Sequence, residues 1–414
     1  MSLDSNYSIK EINELCEINS SNYSKKDNWD FINYLDTKNI IKGEINEIQL
    51  FDPNYDKVPS RAKRKVKIDD IIISTVRPNQ EHYGMIKNKI DNFLVSTGFT
   101  TLTVDKTQAK PEFIYYYITQ KYITESLQTI AEQSTTSYPS IKPSDIGNLL
   151  IELPPLEIQE KISQILTSIE NKITVNKEIN INLRNLIKIL YKNYFESFEL
   201  DNIPDNWEMV NIESIINIYN GYSYKGNELQ ESDCAMVTIK NFNRDGSFRT
   251  DGFKEIVYSS KIKNYHFINE NDVLISCTDV TQDADIIGNC IILLDKQNYN
   301  ELIMSMDLVK IESKLPEINN FLLATIFKSY NFKKHILGYV NGTTVLHLDK
   351  KGIKKFEIAL PKNLSELKNI SERFEIIYDE IQCNQKEINK LVNLRDTLLP
   401  KLMSGEIDVS KIDI

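Results

Sequence analysis

The sequence predicts a mixed α/β (α+β) fold made twice: two similar domains separated by two long antiparallel coiled-coil helices, with a pseudo-twofold internal repeat. Three observations predict it. Four short motifs recur in the same order. Each half opens rich in short strands and turns. Each half then closes on a long stretch carrying a heptad seam.

The repeat has a period near 207 residues. Asp70-Ile-Ile-Ile-Ser74 recurs as Asp272-Val-Leu-Ile-Ser276, and Pro111-Glu112 recurs as Pro316-Glu317. Ser134-Thr135-Thr136 matches Gly342-Thr343-Thr344, and Ile151-Glu-Leu-Pro154 matches Ile358-Ala-Leu-Pro361. The offset drifts between 202 and 208, as loop insertions would make it. Each match is short, and their common order carries the weight. The plan divides into a domain over 1–153, a long helix over 154–199, a second domain over 200–361, and a second long helix with its tail over 362–414.

Within the first domain, Ile71 to Ser74 and Thr100 to Val104 read as strands bounded by charged or turn residues. Val273 to Ser276, Cys290 to Leu294 and Asp307 to Ile311 read the same way in the second. Glu112 to Thr129 and Glu317 to His335 read as helices packed on them. Strands mixed with helices favour α/β domains over an all-β sandwich.

The first long helix is expected from about Leu156 to Phe198, since no glycine or proline lies between Pro155 and Pro204. Its seam steps through Ile162, Leu166, Ile169, Ile173, Asn176, Asn180, Leu183, Ile187, Leu190 and Tyr194. The second is expected from Leu364 to Met403, with a seam through Ile370, Phe374, Ile377, Ile381, Asn384, Ile388, Leu391, Arg395, Leu398 and Leu402. Spacings of four and three alternate throughout both. Pro400 is expected to distort the last turns and Gly405 to end the helix. Each would span roughly 60 Å at 1.5 Å per residue. A lone helix would leave such a stripe in water, so the two seams are expected to face each other, antiparallel. Asn176 and Asn384 lie near the two midpoints. They are expected to pair and so fix the register; the alternative is that both amides are solvated at a loose seam.

Composition is that of an ordinary soluble protein, 41% hydrophobic and 26% charged. No apolar run approaches the roughly 18 residues a membrane span needs. Met1 to Lys10 is polar, so no secretory leader is expected and the cytoplasm is the expected compartment. Five cysteines without a CxxC pair suit reduced, mostly buried thiols, and four scattered histidines give no zinc pattern. Net charge is −10, yet Lys57 to Lys67 carries six basic residues and no acid. Local clustering matters more than the total for a polyanionic partner, although many basic runs are merely solvated. There is no GxGxxG, no P-loop and no methylation motif of the asparagine-proline-proline-aromatic kind. Asp283 and Asp285 lack the lysine or histidine company of a nuclease site and read as a solvated loop.

The long-helix motifs carry a resemblance. Leu153-Pro-Pro-Leu-Glu-Ile-Gln-Glu-Lys-Ile162, Asn176-Lys-Glu-Ile-Asn180 and Leu190-Tyr-Lys-Asn-Tyr-Phe195 resemble the first repeat region of type I restriction-modification specificity subunits. Leu398-Leu-Pro-Lys-Leu-Met-Ser-Gly-Glu-Ile407 resembles the ending of the second. Pro59-Ser-Arg-Ala62, Asp70 to Ser74 and Val76-Arg-Pro78 resemble a target-recognition domain of the same family. The likeness covers essentially the whole chain in order. Pro361-Lys-Asn-Leu departs from the Pro-Pro-Leu and Gln pattern and leaves the start of the second helix open.

The resemblance implies a non-catalytic subunit that reads a split double-stranded DNA target, one half per domain, with the coiled coil setting the gap. It implies two modification subunits as partners, docked on the helical region, and restriction subunits where the system has them; no membrane is involved. No cofactor is expected on this chain. S-adenosylmethionine would belong to the modification subunit, and ATP and Mg to the restriction subunit. The competing reading is a coiled-coil scaffold joining two protein-binding domains, which would lack the steep salt dependence of DNA binding. A self-sufficient methyltransferase or nuclease is disfavoured by the missing motifs.

Base edges and phosphates call for Arg, Lys, Asn, Gln, Ser and Thr. In the first domain Arg61, Lys63 and Arg64 are the candidates for phosphate. Thr75, Arg77 and Asn79 follow a strand end, and Arg77 suits a bidentate contact to guanine, with a surface salt bridge as its alternative. Thr135, Thr136, Ser137 and Tyr138 form a polar turn where the family carries a recognition loop. In the second domain the candidates are Tyr222, Ser223, Tyr224 and Lys225 after Gly221, then Lys240 and Asn241 near a strand end. Thr278 and Gln282 stand in the places of Thr75 and Asn79, and Thr343, Thr344 and His347 match the polar turn. The loop from Thr278 to Asp285 is acidic: its aspartates would either accept from cytosine amino groups or repel phosphate.

Overall fold

Continuously apolar strands such as Ile71–Ser74 and Val273–Ser276 are buried on both faces and sit at the centres of matching sheets. The chain, seen in a computed structural model, is described over residues 7–133, 138–196, 203–244, 246–281 and 283–412. It divides into one unit of residues 1–174 with 388–414 and a second of residues 175–387. The boundary falls inside both long helices.

In the first unit, Ser8–Glu11 pairs antiparallel with Leu150–Leu153. One four-stranded sheet runs Cys16–Ile18, Phe99–Val104, Ile71–Ser74, Tyr83–Met85. Another runs Gln49–Phe51, Ile32–Leu35, Phe93–Ser96, Ala62–Lys65, with one parallel pairing at its centre. Helices Pro111–Ile118 and Lys121–Glu132 cover the first sheet.

The second unit repeats the strand order of both four-stranded sheets and of the two-stranded ladder. Trp207–Asn211 pairs antiparallel with Glu357–Pro361. A four-stranded sheet runs Ile216–Asn220, Leu308–Ser313, Val273–Ser276, Cys290–Ile292. Its companion runs Lys254–Glu255, Cys234–Val237, Glu301–Met304, Phe267–Ile268, again with one central parallel pairing. Helices Asn320–Phe327 and Tyr330–Leu337 follow. Where the sequence reads one helix over Glu112 to Thr129, the chain makes two, broken at Thr119 and Gln120. The single helix read over Glu317 to His335 is likewise two. Its break is at Lys328 and Ser329, where the Ser329 hydroxyl accepts from Phe332 N and caps the new helix.

The long helices span Leu156–Phe195 and Leu364–Met403; Phe198 lies outside the described residues. Pro400 is accommodated inside the second helix, which continues to Met403. Gly405, at φ +70°, closes it through its N–H to the Leu402 carbonyl. At the divergent start after Pro361, the Asn363 side chain accepts from Ser365 N, so an asparagine cap opens that helix.

Within each unit the helix segments run antiparallel. In the first, Arg395 donates to Glu170 at 2.6 Å and Lys161 to the Ser410 carbonyl at 2.9 Å. Ile162, Leu166, Leu402 and Met403 join Phe113, Ile114 and Leu127 in one core. In the second, Arg373 donates to Tyr194 at 2.6 Å, and Ile187, Tyr191 and Phe374 pack with Phe321 and Leu322.

The expected Asn176–Asn384 pair is corrected by one helical turn. Asn384 Nδ2 donates to Asn180 Oδ1 at 3.1 Å, and Asn180 Nδ2 donates to the Ile381 carbonyl at 3.3 Å. Asn176 instead donates to the Glu387 carboxylate at 2.7 Å. Matching the midpoints would have aligned Asn176 with Asn384 and left the equally buried Asn180 without them.

Candidate nucleic-acid interface

Loops at the ends of the central strands converge in each unit, and backbone hydrogen bonds hold them there. In the first unit the turn at Thr97 and Gly98 is the joint. Thr97 N–H donates to the Arg61 carbonyl, and Thr75 N–H donates to the Gly98 carbonyl at 2.8 Å. Val76 bridges Ser140, and Arg77 N–H donates to the Pro139 carbonyl at 2.9 Å. These bonds join the segments that carry Arg61, Thr75 and Arg77, and the Arg77 side chain meets Tyr138.

Arg77 is the focus of that face. It is exposed, and its backbone is left-handed at φ +49°, a conformation non-glycine residues rarely hold. Its guanidinium carbon lies 5.1 Å from the centroid of the exposed Tyr138 ring. The turn Pro78–Gln80 carries Asn79 outward and is backed by Gln128, whose side chain accepts from Asn79 N at 3.2 Å.

The basic run splits by strand alternation. Arg61 and Lys63 are exposed. Arg64 is half-buried and donates to the Phe99 carbonyl at 3.3 Å and to Asn22 at 3.4 Å, so it braces the sheet rather than facing solvent. Burial pulls its guanidinium below its ordinary pKa. Lys65 pairs with Asp27 and lies over Trp29. Thr75 spends its hydroxyl on the Gly98 carbonyl. Thr135, Thr136 and Ser137 lie outside the described residues.

The joint of the second unit is the turn from Ser305 to Leu308. Tyr222 N–H donates to the Met304 carbonyl, Gly221 N–H to that of Leu308, and Cys277 N–H to that of Asp307 at 2.7 Å. Gly221 is obligatory there, because a Cβ would sit 1.9 Å from the Ser305 oxygen. Thr278–Asp279 pairs with Leu346–Leu348, bringing Thr278 opposite His347. This is the counterpart of the Val76–Ser140 bridge.

Three residues assigned from sequence to this surface belong to the interior. Tyr222 is 2% exposed and hydrogen-bonds Glu228 and Ser259. Asn241, fully buried in the turn Ile239–Asn241, accepts from Thr238 N and donates to the Arg249 carbonyl. Thr278 is buried opposite an exposed His347. Tyr224 packs half-buried against the cluster of Cys234, Met236 and Ile256. Ser223, Lys225, Lys240, Thr343, Thr344 and His347 are exposed. Gln282 lies outside the described residues.

The acidic loop folds around its own charge, a feature the sequence did not announce. Asp279 accepts from the N–H groups of Thr281, Ile286 and Ile287 and from the Thr281 hydroxyl, at 2.7–3.2 Å. Burial alone would raise its pKa, but these bonds outweigh it and hold the carboxyl below the usual range. Lys333 clamps the same loop from outside, donating to the carbonyls of Ala284 and Ile287 and to Asn289. Burial lowers the pKa of that ammonium.

Among the described residues, no three His, Cys, Asp or Glu side chains group as metal ligands would. Cys16, Cys277 and Cys290 are buried thiols pushed up to about 12 by desolvation. No helix among the described residues is long and apolar enough to cross a membrane.

Each unit thus sets a loop-built face on the same α/β frame, beside antiparallel helix segments. The family profile described as the type I restriction modification DNA specificity domain matches residues 4–185 and again 204–393. The chain therefore belongs to the type I restriction-modification DNA specificity family, a non-catalytic family that recognises the DNA target. It is 22% identical to the type I restriction enzyme HindI specificity subunit of Haemophilus influenzae, over 90% of this chain and 94% of that protein. It is 25% identical to a putative type I restriction enzyme MjaX specificity subunit of Methanocaldococcus jannaschii, over 97% and 94%. The crystal structure of the type I restriction-modification system S subunit from M. genitalium aligns with a TM-score of 0.59 at 16% identity, covering 97% of this chain and 98% of that one.

Proposed function

We propose that each unit reads one half of a split DNA target through the loop face just described, and that the antiparallel helices set the gap between the halves. The observation that carries this is the repeated convergence of loops. The turn after the central strand is tied to the turn before the last strand in both units, as Val76–Ser140 and as Thr278–His347. In the first unit Arg77 and Tyr138 supply guanidinium and aromatic faces suited to a base edge, while Arg61 and Lys63 supply charge for phosphate. In the second, Ser223, Lys225, Lys240, Thr343, Thr344 and His347 are the exposed candidates.

The methyl transfer and its S-adenosylmethionine belong on this reading to two modification subunits docked on the helical region. ATP and Mg belong to restriction subunits where the system has them. Such a complex acts on cytoplasmic DNA. The test uses the chain assembled with its modification subunits. Specific binding should fall steeply with salt, with log K linear in log salt. Arg77→Ala should cost about 1–3 kcal/mol and relax the sequence preference at one base pair. A complex with no preference among DNA sequences would defeat the reading.

A further inference from the structure

The face of the second unit differs from the first in a way that its duplicated frame makes visible. Where the first carries Arg77 stacked on Tyr138, the second carries exposed apolar side chains. Val280 is 65% exposed, Met306 50% and Val345 37%. They come from the three loops that converge there. Asp279 and Leu346 are the last paired residues of their ladder, and both are buried. Val280 and Val345 lie one step beyond, in the bends where the two strands end, and both are exposed, as is His347 in the same ladder. Met306 lies in the turn whose Asp307 carbonyl accepts from Cys277 N–H, three residues before Val280.

These side chains are displayed by a stiff support. The buried Asp279 carboxylate fixes the loop from within, and Lys333 holds the carbonyls of Ala284 and Ile287. Apolar side chains displayed from adjoining loops on a stiff support offer a partner shape and apolar contact at little ordering cost. The exposed Asp283 in the same loop disfavours a phosphate neighbour, which leaves the floor of a groove rather than its rim. In the major groove, the apolar feature a protein can meet is the C5-methyl of thymine.

We propose that Val280, Val345 and Met306 form a methyl-reading strip that contacts thymine in the half-site read by the second unit. The inference rests on the DNA-reading function proposed above. The first unit, with its guanidinium and phenol, reads by hydrogen bonds; the second adds shape and methyl contact.

The experiment replaces thymine by uracil, which removes only the methyl, so no protein variant has to fold for the first arm. Affinity of the assembled methyltransferase is measured on target duplexes with uracil in one half-site or the other. Uracil in one half-site should weaken binding about fourfold per contacted methyl. In the second arm, Val280→Ala should weaken binding to the thymine duplex by a similar factor and remove most of the uracil effect in that half-site. Equal affinity for thymine and uracil duplexes, or a uracil effect untouched by Val280→Ala, overturns the methyl strip while leaving DNA reading intact. Loss of all sequence preference in the unmodified complex overturns both.

Discussion

At the scale of single residues, burial decides which polar side chains remain available to a ligand. Asp279 is the clearest case, because its carboxylate holds three backbone N–H groups and a hydroxyl of its own loop. Its folded pKa is lowered, so the stability it contributes is fully present above the ordinary carboxylate pKa of about 3.9. That contribution is lost as pH falls through the lower folded value. Asp279→Asn should therefore destabilise the protein near neutrality, and thermal unfolding of variant and parent should converge as the pH is lowered below about 4. A gap that stays constant with pH would mean the charge contributes nothing. Tyr222, Asn241 and Thr278 show the limit of reading such positions from sequence. A tyrosine after a glycine looks like a ligand platform until Glu228 and Ser259 are seen to claim its hydroxyl. Those partners lie 6 and 37 residues away, beyond any local pattern.

At the scale of elements, periodicity was the most legible signal. The heptad seams predicted both long helices, and the strands Ile71–Ser74 and Val273–Ser276 have the predicted bounds. The register between the helices was not legible, because a repeating seam allows several alignments and only three-dimensional partners choose among them. Asn180 and Asn384 choose here, and their bond is buried. Asn384→Ala leaves Asn180 Oδ1 without that donor and should cost about 1–3 kcal/mol in denaturant unfolding. Replacing both by leucine should recover much of the loss while weakening the preference for one alignment. A double variant no more stable than the single would show that the amide pair is not what the alignment depends on. The breaks at Gln120 and Ser329 are not legible in the sequence for a related reason: neither involves glycine or proline, and a serine cap is visible only once the helix it opens is known.

At the scale of the whole molecule, duplication and charge act together. The net charge of −10 would resist a polyanion, so the proposed DNA reading requires locally exposed cations, for which Arg61, Lys63, Lys225 and Lys240 are the candidates. Removing Lys63 should lower the salt slope by about one while leaving sequence preference unchanged, the opposite of the Arg77→Ala outcome. If the paired helices measure the gap in the target, deleting one heptad from both together should change the separation of half-sites found by methylome sequencing. An unchanged separation would defeat that role.

The two-stranded ladders that open and close each unit carry one more consequence. Ser8–Glu11 lies beside Leu150–Leu153, and Trp207–Asn211 beside Glu357–Pro361. The first and last strands of each recognition domain are thus neighbours, so nearly everything between them is a closed excursion from a common doorway. A gene segment encoding a different excursion can be exchanged at that doorway without stretching the chain or disturbing the long helix that follows. If each domain reads one half of the target as proposed, exchanging one such excursion should change the preference for that half and leave the other unchanged.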